Sequence, residues 1–213
     1  MPGAPAPGLA TRKKSLRASE RDTPRGQQAR QEYRQGLATL DLRRLKFVDG
    51  SGVTLAMTRL YGRAPAGERV SGSVPQNYGQ SVTMLGALSA RGLHAVMTVD
   101  GATDADVFRT YGKQVLGPTL ARGDMVVMDN LQAHKAVGVQ QAMARRGARR
   151  LYLPPYSPDL SPIEPCWSKL KTALRKAKAR TRAALDAAIA EAMVTVSHTD
   201  AGGWFKHCGY TLQ

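Results

Sequence analysis

The amino-acid sequence predicts an α/β fold in which a mixed central sheet carries helices on both faces. Short apolar runs come first along the chain, and from about residue 104 onward helical and strand patterns alternate. Consecutive strands joined by short turns pair antiparallel, whereas strands separated by helices pair parallel. The length of 213 residues fits one such domain with an additional segment of different composition.

Residues 1–40 form a basic segment that we expect to be largely disordered, with one short exposed helix over 24–36. The first twelve residues are rich in Pro, Gly and Ala, and residues 13–36 are highly charged with almost no apolar periodicity. A chain of this composition has little apolar surface to bury. We therefore predict that the folded domain spans 41–213.

Strands dominate the first part of the folded domain. The run LKFVDG (45–50) predicts a buried strand that ends on a carboxylate, and GVTLAMTRLYGR (52–63) predicts a second strand with a basic end. The stretch 63–80 is rich in Gly and Pro and indicates a loop or hairpin tip. Residues 81–92 and 93–101 predict two further strands joined by a Gly turn.

The second part alternates between helices and strands. Thr103 and Asp106 resemble the N-cap and N3 positions of a capping box, which predicts a helix over 104–118. The elements predicted after it are a strand at 124–130, a helix at 134–147, a strand at 148–155, a basic helix from Ile163 to about Lys178, and a helix at 181–196. An antiparallel meander followed by helical crossovers is the order of an RNase H-like fold.

The charge of the chain indicates a polyanionic partner. Lys and Arg number 31 against 16 Asp and Glu, which gives a formal net charge of +15. Nucleic acid is the first candidate, because each phosphate that is neutralised releases counterions. A ribosomal-type or simply soluble basic protein is the alternative that charge alone leaves open.

Several classes of protein are disfavoured by the sequence. Cys166 and Cys208 are far apart and form no CxxC pair, so neither a disulfide framework nor a zinc site is indicated. No apolar run approaches the roughly 20 residues of a membrane span. The N-terminus lacks the apolar block of a secretory signal. We therefore expect a cytoplasmic protein with no membrane partner.

Three carboxylates stand where the predicted elements end or begin. Asp49 and Asp129 each end an apolar strand, and Glu164 stands at the start of a helix. Carboxylates from neighbouring strand ends can hold a hard cation such as Mg²⁺, which also keeps water and phosphate oxygens as ligands. An Asp after a strand is also a common turn former, and a Glu at a helix start complements the helix dipole. Composition and spacing alone leave both interpretations open.

Three blocks of sequence resemble the mariner-like DDE transposases, in particular their bacterial insertion-sequence branch. They are FVDGSGVTLAMTRLYGRAPAGERV (47–70), VVMDNLQAHK (126–135) and LYLPPYSPDLSPIEPCWSKLK (151–171). Asp129 and Glu164 are 35 positions apart, so that 34 residues intervene, a spacing typical of this superfamily. The resemblance extends over about residues 13–210, and its proline-rich block is the most specific part. Relatives usually have Glu where this chain has Gly50.

The resemblance implies an RNase H-like catalytic domain over 41–213 with Asp49, Asp129 and Glu164 as catalytic residues and metal ligands. Two Mg²⁺ or Mn²⁺ ions would serve a reaction that nicks DNA at transposon ends and joins the freed 3′-hydroxyl to target DNA. The implied partners are DNA, a further copy of the chain on DNA, and a separate helix-turn-helix half or a full-length transposase, near the bacterial nucleoid. The alternative is an impaired remnant that only binds DNA or such a partner.

Further residues are candidates for supporting roles. Asn130, His134 and Lys135 could orient a metal ligand or contact the scissile phosphate, with an ordinary surface role as the alternative. Five basic residues are candidates for DNA-backbone contact, although a solvated helix face would have the same composition: Arg63, Lys169, Lys171, Arg175 and Lys176. Asp100 and Asp104 are interpreted as turn and cap residues. The helical spacing of Trp167, Leu170 and Leu174 predicts core positions.

Overall fold

A single five-stranded sheet organises the chain. The structure, a computed structural model, describes residues 18–77, 79–130 and 137–211. The strands are β1 (Leu45–Thr54), β2 (Ser81–Ser89), β3 (Gly92–Asp100), β4 (Met125–Met128) and β5 (Arg149–Tyr152). The helices are α1 (Pro24–Leu37), α2 (Ala105–Thr110), α3 (Val137–Arg145), α4 (Ile163–Ala177), α5 (Arg182–Val194) and α6 (His198–His207).

The sheet is mixed, as the sequence predicts. Its strands lie in the order β3-β2-β1-β4-β5. Strands β1, β2 and β3 form an antiparallel meander, while β4 pairs parallel with both β1 and β5. A short turn joins β2 to β3, a long segment (55–80) joins β1 to β2, and helical connections separate the parallel strands. The expected RNase H-like topology is therefore present.

Helices cover both faces of the sheet, which confirms the predicted layering. Successive side chains of a strand point to opposite faces, so Phe47 and Val48 enter two different cores. Phe47 packs edge-on against Phe205 of α6, with ring centroids 5.4 Å apart. Val48 shares its core with Phe108 of α2 and Met143 of α3. Burial of one such large apolar side chain contributes about 2 kcal/mol to the stability of the fold.

The first strand is longer than predicted, and the prediction of a separate strand at 52–63 is wrong. β1 continues through Thr54, and none of the described residues of 55–80 lies in a strand or helix. Gly50 and Gly52 are not a turn, because they pair with Leu85 and Thr83 inside the antiparallel ladder. Of the apolar residues that follow β1, Leu55 and Met57 pack against the core without forming a strand.

The helix predicted over 104–118 begins with a different cap. Asp104, not Thr103, is the N-cap: its carboxylate accepts hydrogen bonds from the backbone N–H groups of Asp106 and Val107 at 2.9 and 2.8 Å. This agrees with the interpretation of Asp104 as a cap residue, and a carboxylate also complements the helix dipole at this position. The α-helix is short, and the chain continues through a π-helical turn, Tyr111–Leu116, before β4.

Helix α6 is an element that the pattern of residues did not predict. Ser197 and Asp200 form a capping box at its start, in which each side chain accepts from the other residue's backbone N–H. The adjacent Gly202 and Gly203 lower the helix propensity of this stretch and conceal it in the sequence. Packing overrides that propensity, because Phe205 is fully buried against β1.

Helix α1 matches the helix predicted over 24–36, but one of its faces is covered. Arg30 and Tyr33 are only 6 % and 7 % exposed, and the Tyr33 hydroxyl lies 2.9 Å from the hydroxyl of Tyr210. The expectation of an exposed helix is therefore wrong for this face, while the proposed division of the chain at residue 40 stays a prediction. None of the helices in the described ranges is both long enough and apolar enough to cross a membrane.

Candidate active site

Parallel pairing of β1 and β4 brings Asp49 and Asp129 to the same level of the sheet. The last paired residues of the two strands are Phe47 and Val127, and each aspartate follows its strand's paired residue by two positions. Side chains two positions apart share a face, so both carboxylates lie on the face that Phe47 and Val127 occupy. Neighbouring strands are about 4.8 Å apart, which places the two carboxylates side by side.

Helix α4 supplies Glu164 on the same face. Its buried residues Ile163, Cys166, Trp167, Leu170 and Leu174 recur every three or four positions and pack into the core beneath the sheet. The prediction that Trp167, Leu170 and Leu174 are core residues is confirmed. Because this stripe fixes the rotation of the helix, Glu164 in its first turn projects beside the stripe toward the two aspartates.

The three carboxylates line one cavity of about 430 Å³. Asn130 lies at its wall beside Asp129, and the remainder is formed largely by the proline-rich loop (153–162) between β5 and α4. Within this loop Tyr156 has a backbone φ of +55° and is 54 % exposed at the cavity. The site is therefore open to a large substrate and not enclosed around a small molecule.

Negative charge is concentrated at this cavity. Partial desolvation raises the pKa of Glu164 above its ordinary value, and the charges of Asp49 and Asp129 raise it further, against an opposing effect of Lys171. Like charges that repel one another at a site accessible to solvent are neutralised when a cation binds between them. The electrostatics of the cavity thus favour a bound cation.

The donor set suits Mg²⁺ or Mn²⁺, which take oxygen ligands and keep coordination positions for water and phosphate. In the described part of the chain, no three His, Cys, Asp or Glu side chains are gathered tightly enough to enclose a metal ion. Asp49, Asp129 and Glu164 instead surround an open cavity. An arrangement of this kind fits metal ions whose remaining ligands come from water and from a phosphate group.

Asp49 has a hydrogen-bond donor that the sequence did not reveal as part of the site. The indole Nε1–H of Trp167 donates to Oδ2 of Asp49 at 3.1 Å. Trp167 was predicted only as a core residue, which it is, at 2 % exposure. A buried indole N–H almost always finds an acceptor, and that rule was the available signal.

The proline-rich loop is held from behind by α1 and by the C-terminal part of the chain. Arg30 donates to Ser157 at 2.6 Å and to both carboxylate oxygens of Asp159, at 3.1 and 2.7 Å. The Tyr210 hydroxyl donates to the Leu160 carbonyl at 2.6 Å. These contacts join residues more than 45 positions apart, and they fix the loop that carries the chain into Glu164.

The basic candidates separate into two groups. Lys171 is close enough to the cavity for its charge to act on Glu164. Lys169 points elsewhere: its ammonium group donates to Asp200 at 2.6 Å and to the Thr195 carbonyl at 2.8 Å, which joins α4 to α6. Lys169 therefore has an acidic partner, although residues 165–182 include no Asp or Glu.

The other candidates lie on or beyond the surface of the site. Arg175 and Lys176 line a shallow groove of about 520 Å³ together with Arg59 and Tyr61. Arg63 is exposed in the irregular segment after β1. His134 and Lys135 lie outside the described residues. Of the two predicted non-ligand aspartates, Asp100 ends β3 and pairs with Arg182.

Gly50, the position at which the resemblance to the transposase family predicts Glu, lies on the opposite face of β1 from Asp49. A Cβ atom at Gly50 would stand 2.9 Å from Cδ2 of Leu85, a residue of the core around Val48. A side chain at position 50 would consequently point away from the face that carries the three carboxylates.

Comparisons with known proteins identify the family and the fold. A family model described as DDE superfamily endonuclease matches residues 44–186, more than half of the chain. The comparison with curated protein sequences gives no match. Solved structures of Mos1 transposase are similar in fold at low sequence identity.

Mos1 transposase in a paired-end complex with the left transposon end gives a TM-score of 0.72 at 13% identity, over 94% of this chain and 64% of that one. The Mos1 mariner transposase catalytic domain gives 0.60 at 14% identity, over 92% of both chains. The Mos1 catalytic domain with raltegravir and Mg gives 0.63 at 13% identity, over 91% and 94%. The chain belongs to the DDE superfamily of endonucleases and has the RNase H-like fold of the Mos1 catalytic domain.

Proposed function

We propose that this chain is the catalytic domain of a DNA transposase, which nicks DNA at the ends of a mobile element and joins the freed 3′-hydroxyl to target DNA. The observation that carries the proposal is the meeting of Asp49, Asp129 and Glu164 at one open cavity of a DDE endonuclease fold. Solved Mos1 structures contain transposon-end DNA, and others are described with Mg or Mn.

In this proposal the three carboxylates hold two Mg²⁺ or Mn²⁺ ions. Asn130, at the cavity wall, orients the Asp129 carboxylate. Such a pair of ions supplies activation of the attacking oxygen and stabilisation of the leaving oxygen. The carboxylates provide the fixed negative charge that keeps the ions beside the middle of β1 and the end of β4. The open side of the cavity, near Tyr156, admits the phosphodiester.

DNA would be held mainly through its phosphates. The net charge of +15 supplies a general attraction, and Lys171 brings one positive charge beside the carboxylates. Arg175 and Lys176 extend a basic surface along α4 from there, with Arg59 opposite them across the groove. Phosphate contacts of this kind position a duplex without reading its sequence.

Recognition of the element ends needs contacts to the bases, which phosphate contacts do not supply. The chain spans 64% of the Mos1 chain in the paired-end complex. We propose that a separate helix-turn-helix half, or a full-length transposase, recognises the terminal repeats, and that two copies of the chain associate on DNA. The proposed origin is a bacterial insertion sequence, with action at the nucleoid.

Lys171→Ala is expected to weaken DNA binding and to reduce by about 1 the slope of log affinity against log salt, because one phosphate contact is lost. Lys206→Ala is the matched control, being the same change at an exposed lysine of α6 that does not line the groove beside Arg175 and Lys176. It is expected to leave the salt slope unchanged. Fluorescence anisotropy over a salt series measures both slopes, and equal slopes in the three proteins would remove Lys171 from the interface.

The function is tested with a duplex that carries the inverted repeats flanking the gene. With Mn²⁺ the wild-type chain, supplied with its DNA-reading partner, is expected to produce nicks with free 3′-hydroxyl ends and then joined products. Addition of a chelator is expected to stop both reactions. Metal-independent cleavage would contradict the proposal, and DNA binding without any cleavage would favour the non-catalytic remnant.

A further inference from the structure

We propose that Trp167 is a positioning residue, whose indole N–H fixes the Asp49 carboxylate in the orientation needed to bind a divalent metal ion. This inference rests on the proposed function, because it takes Asp49 as a metal ligand. It assigns to Trp167 a role beyond packing in the core. Three features of the structure carry it.

The first feature is the contact itself. Nε1–H is the single hydrogen-bond donor of the indole, and Trp167 donates it to Oδ2 of Asp49 at 3.1 Å, across 118 positions of sequence. The ring is 2 % exposed, so water does not compete for this donor. Fixing one oxygen restricts rotation of the carboxylate about the Cβ–Cγ bond. In an unrestrained aspartate this torsion angle varies over a broad range.

The second feature is the position of Trp167 on α4. It follows Glu164 by three residues, and residues three apart on a helix are neighbours on its surface. One helix therefore presents a carboxylate to the cavity and a donor to the opposing carboxylate. Any displacement of α4 would move both together, so the distance between the Glu164 and Asp49 groups is maintained by the helix.

The third feature is a space in the sheet that the indole ring fills. Gly86 of β2 pairs with Asp49 in the antiparallel ladder, and a Cβ atom there would stand 2.9 Å from Cη2 of Trp167. Opposite Gly86 the pairing of β2 with β3 is irregular, and Ala95 has a backbone φ of +50°. β-Bulges of this kind are frequent beside active sites, where they redirect side chains.

The chemistry of the donor matters for metal binding. A Lys or Arg partner would neutralise the Asp49 carboxylate and compete with the metal ion for its charge. The indole N–H is uncharged, so it orients the carboxylate without neutralising its negative charge. Groups that orient metal ligands from outside the coordination sphere typically change affinity or activity by about 10- to 100-fold when they are removed.

The hydrogen bond is tested by NMR of the indole N–H signals, of which the chain has two, from Trp167 and Trp204. Trp204→Phe identifies the Trp167 signal. Asp49→Ala is expected to move the Trp167 signal upfield and to accelerate its exchange with solvent, while the Trp204 signal stays. If the Trp167 signal does not move in Asp49→Ala, the contact and the proposal are overturned.

The role is tested by the apparent Mn²⁺ affinity of Trp167→Phe, which keeps an aromatic ring and loses the donor. Calorimetry is expected to give an affinity about tenfold weaker than that of wild type, and high Mn²⁺ is expected to restore the DNA cleavage rate. Trp204→Phe is the matched control and is expected to leave both unchanged. A merely structural role would lower the thermal midpoint without this rescue by metal.

Gly86→Ala is a second test of the hydrogen bond, and it leaves the Trp167 and Asp49 side chains unchanged. Its Cβ displaces the indole, so the same upfield shift and the same loss of Mn²⁺ affinity are expected. Failure of this proposal and failure of the proposed function are distinguishable. Wild type that binds no Mn²⁺ overturns the metal site together with this role, whereas Mn²⁺ affinities that are equal in wild type, Trp167→Phe and Gly86→Ala overturn the role of Trp167 alone.

Discussion

Glu164→Gln is expected to lower the rate of Mn²⁺-dependent DNA cleavage by at least about a thousandfold and to raise the stability of the fold slightly. The loss follows because the amide cannot supply the negative charge that holds a metal ion at the transferring phosphate. The gain follows because desolvation and the charge of Asp49 raise the pKa of Glu164, so that its ionised form costs free energy in the folded chain that a neutral amide does not.

Opposite changes in activity and stability distinguish a functional carboxylate from a structural one. Asp106→Asn is the matched control, since Asp106 is 75% exposed and pairs only with Arg109 in the same helix among its described ion pairs. It is expected to change cleavage less than twofold and stability by less than about 0.5 kcal/mol. Cleavage assays and thermal unfolding of the three proteins give both readings. A Glu164→Gln protein that cleaves like wild type would remove Glu164 from the mechanism.

Arg30→Met is expected to lower the free energy of unfolding by about 3 kcal/mol. The substitution removes the guanidinium that donates to Ser157 and to both oxygens of Asp159. The buried Ser157 hydroxyl then loses this donor. Loss of one partner of a buried charged network typically costs about 3 to 5 kcal/mol, and Asp159 is 39% exposed, which reduces the effect. Urea unfolding measures it.

Arg34→Met on the same helix is the control, because Arg34 is exposed. It is expected to change the free energy of unfolding by less than about 0.5 kcal/mol. Equal effects of the two substitutions would show that α1 does not support the proline-rich loop. Cleavage by Arg30→Met is also expected to fall, since that loop leads directly into Glu164.

The same ion pair predicts how stability depends on pH. Burial acts to raise the pKa of Asp159, but the hydrogen bonds and charge of Arg30, with the charge of Arg21, hold it below its ordinary value of 3.8. A depressed carboxyl pKa contributes stability above the ordinary value, and that contribution is lost as the pH falls through the folded-state value. The difference between wild type and Arg30→Met should therefore be constant near neutral pH and narrow below about pH 4.

Residues that follow strong local patterns could be predicted from the sequence. Asp49 and Asp129 follow apolar runs, and Glu164 follows a proline-rich block before an amphipathic helix, so their elements were evident. The parallel register that brings the two aspartates level is known only from the pairing of β1 with β4 in the structure. What the pattern could not give was the length of β1, because Gly50 and Gly52 are read as a turn until their pairing with β2 is known.

The supporting contacts could not be predicted because they join distant parts of the chain. Arg30 and Asp159 are 129 positions apart, and Trp167 and Asp49 are 118 apart. Each residue alone has an ordinary reading: an arginine in a polar helix and a tryptophan in a core stripe. Lys169 shows the reverse error, since its local sequence favoured contact with DNA and its partner, Asp200, lies on another helix.

Binding of Mn²⁺ tests most directly the central claim that three carboxylates form one metal site. Electron paramagnetic resonance of free Mn²⁺ can be followed during titration of wild type, Asp106→Asn and the triple variant Asp49→Asn, Asp129→Asn, Glu164→Gln, each with DNA present. We expect wild type and Asp106→Asn to bind Mn²⁺ equally and the triple variant to lose that binding. Equal Mn²⁺ binding by all three proteins would contradict the account.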